Sequence, residues 1–458
     1  MITIKNIAAH ALLAGVTGLF SINFAWAGIP VAHWTQPSGV QVYLAQSPGI
    51  PMVDVQIDFD AGSRRDPAAQ AGLASVTASM TAKGVLAHAG VPTPEPALDE
   101  NALSEAWADL GASFSAGASA DRMSFSLRSL TYPDLLGKAA RLAARQLGEP
   151  AFPPTIWQRE RETMNAALKE ANTRPATLAA RAFGAAVYGA HPYGFEMTED
   201  TLAAIDVADM KAVYRALVLP CRAKVTLVGA VNRAQADELV TQLFARLPRG
   251  VAGTACPALP AVVEVAPLKQ PVEKHIAFDS AQAHVLIGQP GFKRDDPDFF
   301  ALTVGNYILG GGGFVSRLTT QVREKRGLSY SVYSYFAPGL HAGAFTLGLQ
   351  TRPDQAMQAV QVSRDVVAEF VASGPTDVEL KAAKDNLIGG FALRIDTNRK
   401  LLDNLANIAW NGLPLDYLDT WTQQVDKVTA ADIRAAFARK LQPEKMVTVV
   451  LGGVPTAP

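Results

Sequence analysis

Val207-Ala-Asp-Met-Lys-Ala-Val-Tyr-Arg-Ala-Leu-Val-Leu-Pro220 returns later in the chain as Ala430-Ala-Asp-Ile-Arg-Ala-Ala-Phe-Ala-Arg-Lys-Leu-Gln-Pro443. Asp209 answers to Asp432, Tyr214 to Phe437 and Pro220 to Pro443, each 223 positions on. Both copies run into an apolar segment, Lys224-Val-Thr-Leu-Val-Gly-Ala-Val231 and Met446-Val-Thr-Val-Val-Leu-Gly-Gly-Val454. Working outward, Tyr132-Pro133-Asp134 matches Arg352-Pro353-Asp354 at an offset of 220, and Pro154-Thr155 matches Pro375-Thr376 at 221. Asp66-Pro67 matches Asp296-Pro297 at 230. Self-similarity at nearly one offset is the mark of a duplicated unit. The chain reads as two homologous halves, residues 28–248 and 272–458, joined by a linker over 249–271. That linker opens Arg249-Gly-Val-Ala-Gly-Thr-Ala-Cys-Pro-Ala-Leu-Pro260, rich in Gly and Pro and without periodicity.

Each half repeats one order of elements. Two strands open it, Val40–Leu44 and Val53–Ala61 in the first half, Glu273–Phe278 and Ala283–Gly288 in the second. A helix follows Asp-Pro, whose Asp is a cap and whose Pro suits a first turn. Strands come next at Ser113–Ala118 and Met123–Leu130, and at Ser329–Phe336 and Gly343–Gln350. Amphipathic helices are predicted over Pro133–Gly148, Pro154–Ala171 and Arg174–Tyr188, then over Pro353–Ser373, Asp377–Leu393 and Asn398–Asn411. Grouped strands with runs of helices define an α+β class: in each half a largely antiparallel sheet covered by helices on one face.

Composition narrows the function. The 458 residues are 49% hydrophobic and 18% charged, enough for large cores. A net charge of −1 argues against a polyanion binder. Two Cys exclude a disulfide scaffold and a Cys-rich zinc module. The first 27 residues read as a leader: Lys5, an apolar run from Ile7 to Phe24, then Ala25-Trp26-Ala27 before a cut at Gly28. The alternative, a membrane anchor, is disfavoured by His10, Thr17, Ser21 and Asn23 within the run. In a Gram-negative cell, export means the periplasm. Cys221 and Cys256 are there expected as two buried free thiols, with a disulfide as the alternative, since sequence does not fix their distance.

Familiar catalytic signatures are missing. No Ser is flanked by Gly at −2 and +2, and there is no phosphate-binding loop. The seven His never fall three or four apart, so no helix presents two imidazoles to one metal. His191, in a Pro-containing turn, reads as a structural loop residue. What remains is Gly310-Gly311-Gly312-Gly313, a hinge or a ligand-touching loop, followed by Phe-Val-Ser-Arg-Leu-Thr-Thr-Gln-Val-Arg323-Glu-Lys-Arg-Gly-Leu-Ser-Tyr330. Phe314, Leu318 and Val322 keep helical spacing and Gly327 suits a stop. Arg323 at the helix end and Tyr330 beyond the turn are placed to face one cavity; a surface Arg and a packed Tyr are the plainer reading.

This last run, with the duplication, resembles the pitrilysin/insulinase family of zinc peptidases, to which the mitochondrial processing peptidase subunits belong, over the whole chain beyond the leader. The resemblance implies that Arg323 and Tyr330 bind substrate near the scissile bond and that Tyr330 stabilises the tetrahedral intermediate, as a phenol and a guanidinium can. It implies peptide contact for Gly310–Gly313. It also exposes a departure. Active members carry H-x-x-E-H on the first helix, and this chain reads Ala71-Gly-Leu-Ala-Ser75-Val-Thr-Ala78-Ser79-Met-Thr-Ala-Lys-Gly84. Ser75 and Ser79 stand at the imidazole positions, Ala78 at the general base and Ala167 at the third ligand, with Glu160 at a nearby supporting Glu. The resemblance therefore implies no zinc in this chain, and the role of the zinc-free subunit of a periplasmic heterodimeric metallopeptidase. Such a chain is inactive alone and supplies Arg323 and Tyr330 to a zinc-bearing partner that acts on unfolded peptides. The alternative is a non-catalytic scaffold or peptide-binding protein of the same fold.

Overall fold

The computed structural model describes residues 28–90, 94–248 and 256–453. The leader over 1–27 and the first part of the linker lie outside the described residues.

Strands β1 (Val31–Thr35), β2 (Gln41–Gln46) and β3 (Met52–Phe59) open the first half. A short ribbon of β4 (Gly84–Val85) and β5 (Leu98–Asp99) follows, then β6 (Ser113–Ala118), β7 (Met123–Leu130) and, after a run of helices, β8 (Lys224–Gly229). All but β4 and β5 form a six-stranded sheet ordered β1-β2-β8-β3-β7-β6. Only β2 and β8 run parallel, with Gln41 opposite Lys224. The second half contributes β9 (Val272–Ile276), β10 (Ala283–Phe292), β11 (Val332–Phe336), β12 (Gly343–Thr351) and β13 (Val447–Leu451). Their order is β11-β12-β10-β13-β9, again with one parallel pair, Val447 opposite Val272. The second sheet repeats the first strand for strand, with β1 as the extra edge. Both sheets are largely antiparallel and helix-covered, as expected.

The helices form where local chemistry directs. Asp66, of the first Asp-Pro, accepts from the N–H groups of Gly72 and Ala74 at 3.0 Å each, satisfying two orphan donors at the start of the Leu73–Met80 helix. Its burial raises its carboxyl pKa to about 6. The repeated segments Val207–Leu217 and Ala430–Lys440 both carry capping boxes, Asp206 with Asp209 and Thr429 with Asp432. Tyr214 and Phe437, the matched aromatics, are both buried.

Each half also lends a helix to the other. The Pro175–Tyr188 helix belongs to the first half by sequence, yet Ala179, Phe183 and Val187 pack against Ala344, Val447, Val449 and Leu451 of the second sheet. Gly288 makes this approach possible: a Cβ there would lie 2.8 Å from Phe183 Cζ. The phenol of Tyr188 accepts from Ala344 N–H at 2.9 Å. Reciprocally, the Asn398–Asn411 helix covers β3 and β8 of the first sheet. That contact is mixed: Leu401, Leu405 and Ile408 share a core with Tyr43, Ala45 and Val228, while β3 alternates Val53, Val55, Ile57 and Phe59 with Asp54, Gln56 and Asp58. Asp54 pairs with Arg128 at 2.6 Å and Asp58 with Arg122 at 3.1 Å. Lys224 caps the incoming helix by donating to the carbonyls of Ala409 at 2.7 Å and Trp410 at 3.1 Å, where the helix dipole is negative.

One expectation is overturned. Cys221 and Cys256 are not free thiols but a disulfide, with Cα atoms 5.7 Å apart. The three-residue turn Pro220–Arg222 follows the Val207–Leu217 helix and presents Cys221 outward, and the linker doubles back across it, its Pro257 carbonyl accepting from Arg222. That reversal of the chain is not written in the spacing of the two Cys.

Candidate functional site

Two places carry the residues singled out in the sequence. The first is the Leu73–Met80 helix. Ser75 and Ser79 stand one turn apart on its less buried side, while Ala78 faces the core and is fully buried. Ser79 turns its hydroxyl back onto its own helix, donating to the Val76 carbonyl at 3.0 Å. Ala167 lies exposed on the Pro154–Ala171 helix. Two hydroxyls and two methyl groups are a poor donor set for Zn2+, which takes imidazole, thiolate or carboxylate. The residues at the ligand positions do not fit the metal. Among the described residues no group of three or more His, Cys, Asp or Glu side chains is arranged to hold one.

The scaffold around those positions persists. Lys83, one turn beyond Ser79, bonds Glu160 at 2.9 Å and so ties the helix end to the Pro154–Ala171 helix. Arg159 clasps Glu100 through two bonds of 2.6 and 2.8 Å and reaches Glu160 at 2.8 Å. The Arg159 guanidinium holds the Glu100 carboxyl at a pKa of about 2 and lowers that of Glu160. At neutral pH this is a balanced network of two cations and two carboxylates, and both carboxylates are already engaged.

The second place is the segment from Gly310 to Tyr330. The Phe299–Asn306 helix widens into a π-type turn over Tyr307–Gly311, closed by Gly312 N–H to the Tyr307 carbonyl at 2.8 Å. A second such turn spans Thr319–Glu324, with Lys325 N–H bonded to the Thr320 carbonyl at 3.0 Å. Turns of this kind concentrate at functional sites. The helix expected from Ser316 is therefore mostly this wider form. The four glycines have local reasons. A Cβ on Gly310 would meet the Ser334 backbone N at 2.6 Å, on Gly311 the Asn306 side chain at 2.8 Å and on Gly312 the Tyr307 carbonyl at 2.6 Å. Gly313 adopts φ +62°, a left-handed conformation.

Arg323 and Tyr330 are brought together. The guanidinium carbon of Arg323 lies 4.6 Å from the Tyr330 ring centroid and 4.7 Å from that of Phe314. It is thus held by two aromatic rings. Tyr330 is 82% exposed and Phe314 69%. The ion pairs of neighbouring arginines engage Arg317, Arg352 and Arg364, and none among the described residues engages Arg323. Arg323 is partly exposed, and among the described residues its donors have no hydrogen-bond partner. The spacing puts Phe314 on an apolar helix face with Leu318 and Val322, but only those two are buried; Phe314 stands exposed against Arg323. The chemistry of the pair is that of a paired donor for a carbonyl or carboxylate oxygen. His191 does what a structural residue does: its Nδ1 accepts from Tyr193 N–H at 3.1 Å.

Two repeated α+β halves, the first with Ser75, Ala78 and Ser79 on the helix where the resemblance would place zinc ligands, have the architecture expected of the resembling zinc-peptidase family without its donor set. Residues 41–201 match the model described as Insulinase (Peptidase family M16), and residues 204–387 match Peptidase M16 inactive domain. The crystal structure of a peptidase M16 inactive domain from Pseudomonas fluorescens is 34% identical with a TM-score of 0.85, covering 94% of this chain and 99% of that one. The chain belongs to the insulinase family of peptidases, family M16. An uncharacterized zinc protease of Streptomyces coelicolor is 30% identical over 240 residues, 52% of each chain. A non-peptidase homolog of Helicobacter pylori is 37% identical over 166 residues, 35% of this chain and 37% of that protein. The chain spans about half the length of the first of these, and less of the second.

Proposed function

We propose that this chain is the zinc-free subunit of a heterodimeric metallopeptidase of the periplasm, and that Arg323 and Tyr330 bind the peptide and stabilise its transition state at a partner's zinc site. One observation carries the reading: Arg323 is held by aromatic rings instead of a carboxylate, beside an exposed phenol. A structural Arg would be neutralised or buried, whereas this one keeps its donors for a ligand. Edge strand β11, two residues beyond Tyr330, has β12 on one side and no strand on the other among the described residues. An edge strand can pair with an extended peptide, although at Ser334 its carbonyl already accepts from Asn306 Nδ2 at 3.0 Å and Gly310 packs beside it. The Cys221–Cys256 disulfide supports an oxidising compartment, and with it export. The name of the Helicobacter pylori relative supports the second reading, a non-catalytic scaffold or peptide-binding protein.

The test is co-expression with a zinc-bearing family member from the same genome. The isolated chain is expected to cleave no peptide and the pair to cleave unfolded peptides. Tyr330→Phe or Arg323→Ala is expected to lower turnover about a hundredfold or more with the pair still assembled. Unchanged turnover in both variants refutes the catalytic role and leaves the scaffold.

A further inference from the structure

The first described residues rest on the second half, not on their own. Ile29 N–H donates to Asp419 Oδ1 at 3.1 Å, and its side chain packs against the second core. A Cβ added to Gly28 would lie 2.6 Å from Cγ and 2.8 Å from Oδ1 of Asp419. The Gly28 Cα, one bond of about 1.5 Å further, is therefore within about 4 Å of that carboxylate, and its nitrogen is one bond from there. No other residue fits at this position without displacing Asp419. Beside the contact a cavity of about 850 Å³ is lined by Ile388, Phe391, Ala392, Ile395 and Leu418. Ile29 enters this apolar surface while Gly28 meets the carboxylate.

Sequence reading places the leader cut between Ala27 and Gly28. In the uncut chain the Gly28 nitrogen is a neutral amide. Hydrolysis by an export-pathway endopeptidase consumes one water, releases Ala27 as a carboxylate and leaves Gly28 with an α-ammonium. We infer that Asp419, in the first turn of the Tyr417–Lys427 helix, is the receiving site for that new ammonium. Leader removal thereby creates an ion pair that fastens the start of the first half onto the second. Ala25 and Ala27 serve the cut, and Gly28 is small enough to reach Asp419. Ile29 anchors the segment so that the ammonium is presented rather than free to wander.

The experiment has two arms. The full chain is expressed with its leader in a Gram-negative host, and the exported protein is weighed by mass spectrometry; a mass starting at Gly28 is expected, and any other start overturns the inference. Chains beginning at Gly28 and at Ala27 are then prepared by removing a cleavable tag, each as wild type and as Asp419→Asn. The variant keeps the acceptor for Ile29 N–H and removes only the charge. An exposed pair is modest, so the one-residue extension is expected to lower Tm by about 1–3 °C in the wild type. It is expected to have no resolvable effect in Asp419→Asn. An equal effect of the extension in both backgrounds, or none in the wild type, overturns the assignment. Neither arm requires the peptidase partner: a cut elsewhere or an equal effect of the extension leaves the proposed function standing, a retained leader counts against its periplasmic location as well, and an inactive pair leaves this inference standing.

Discussion

Phe183→Ala is the sharpest test of how the two halves are held together. Phe183 is only 6% exposed, and its ring lies against the second sheet although its helix belongs to the first half. A buried aromatic removes about 150–250 Å² from water. At about 25 cal/mol/Å² that is about 4–6 kcal/mol, an upper figure because the unfolded chain already buries part of it. Beneath the ring lies Gly288, which has no side chain to move into the void. The loss is therefore expected at about 4 kcal/mol, within the range for core Phe→Ala changes. The assay is equilibrium urea unfolding followed by tryptophan fluorescence, which samples Trp107 and Trp157 in the first half and Trp410 and Trp421 in the second. Coupled sheets also predict a shift in both halves, not in one. Gly288→Ala is expected to act in the same direction, and to remain costly in the Phe183→Ala background, since its Cβ would meet the Phe345 carbonyl as well as the Phe183 ring. A loss below about 1 kcal/mol, or a change confined to the first half, would refute the exchanged-helix account.

Three further outcomes are expected. Rebuilding the ligand set with Ser75→His, Ala78→Glu, Ser79→His and Ala167→Glu should produce a chain that retains zinc through dialysis, measured by metal analysis; no retention would reject the assignment of these positions. Replacing both Cys221 and Cys256 with Ser, or reducing the disulfide, should lower stability by up to about 4 kcal/mol for a loop of 35 residues, read as a fall in Tm that reductant no longer deepens in the double variant. His191 titrates below its ordinary range because of burial and of the neighbouring His341. The unfolded chain therefore takes up its proton first, and stability falls as pH drops through about 6.5. His191→Asn, which keeps an acceptor for Tyr193 N–H, should flatten the dependence of Tm on pH between about 5 and 8, and an unaltered profile would dismiss this group as its source.

Much of the architecture was legible along the chain because it is local. The strands Ser113–Ala118 and Met123–Leu130 and the helices Pro133–Gly148, Pro154–Ala171 and Asn398–Asn411 occur with the bounds that periodicity, capping and proline placement assign them. The matched Asp-Pro turns and the matched segments ending at Pro220 and Pro443 fall at equivalent points of two sheets with one strand order. Their spacing alone favoured a surface Arg and a packed Tyr; Arg323 and Tyr330 were nameable because the run around them resembles that of a known family. Their grip by Phe314 was not, since cation–π contact depends on how the turn folds back.

The sequence by itself determined that a unit was duplicated, which elements each copy contains, and that the residues at the zinc positions are Ser and Ala. The elements follow from side-chain chemistry and local spacing, the duplication from matches at offsets of 220 to 230 positions, and the zinc positions from the resemblance. Only the tertiary structure decided that each half covers the other's sheet, that Cys221 meets Cys256, and that Asp419 meets Ile29 across 390 positions. Such contacts join surfaces whose local patterns are satisfied by any apolar or oppositely charged neighbour. Which neighbour arrives is settled when two sheets and their helices must bury their remaining faces together.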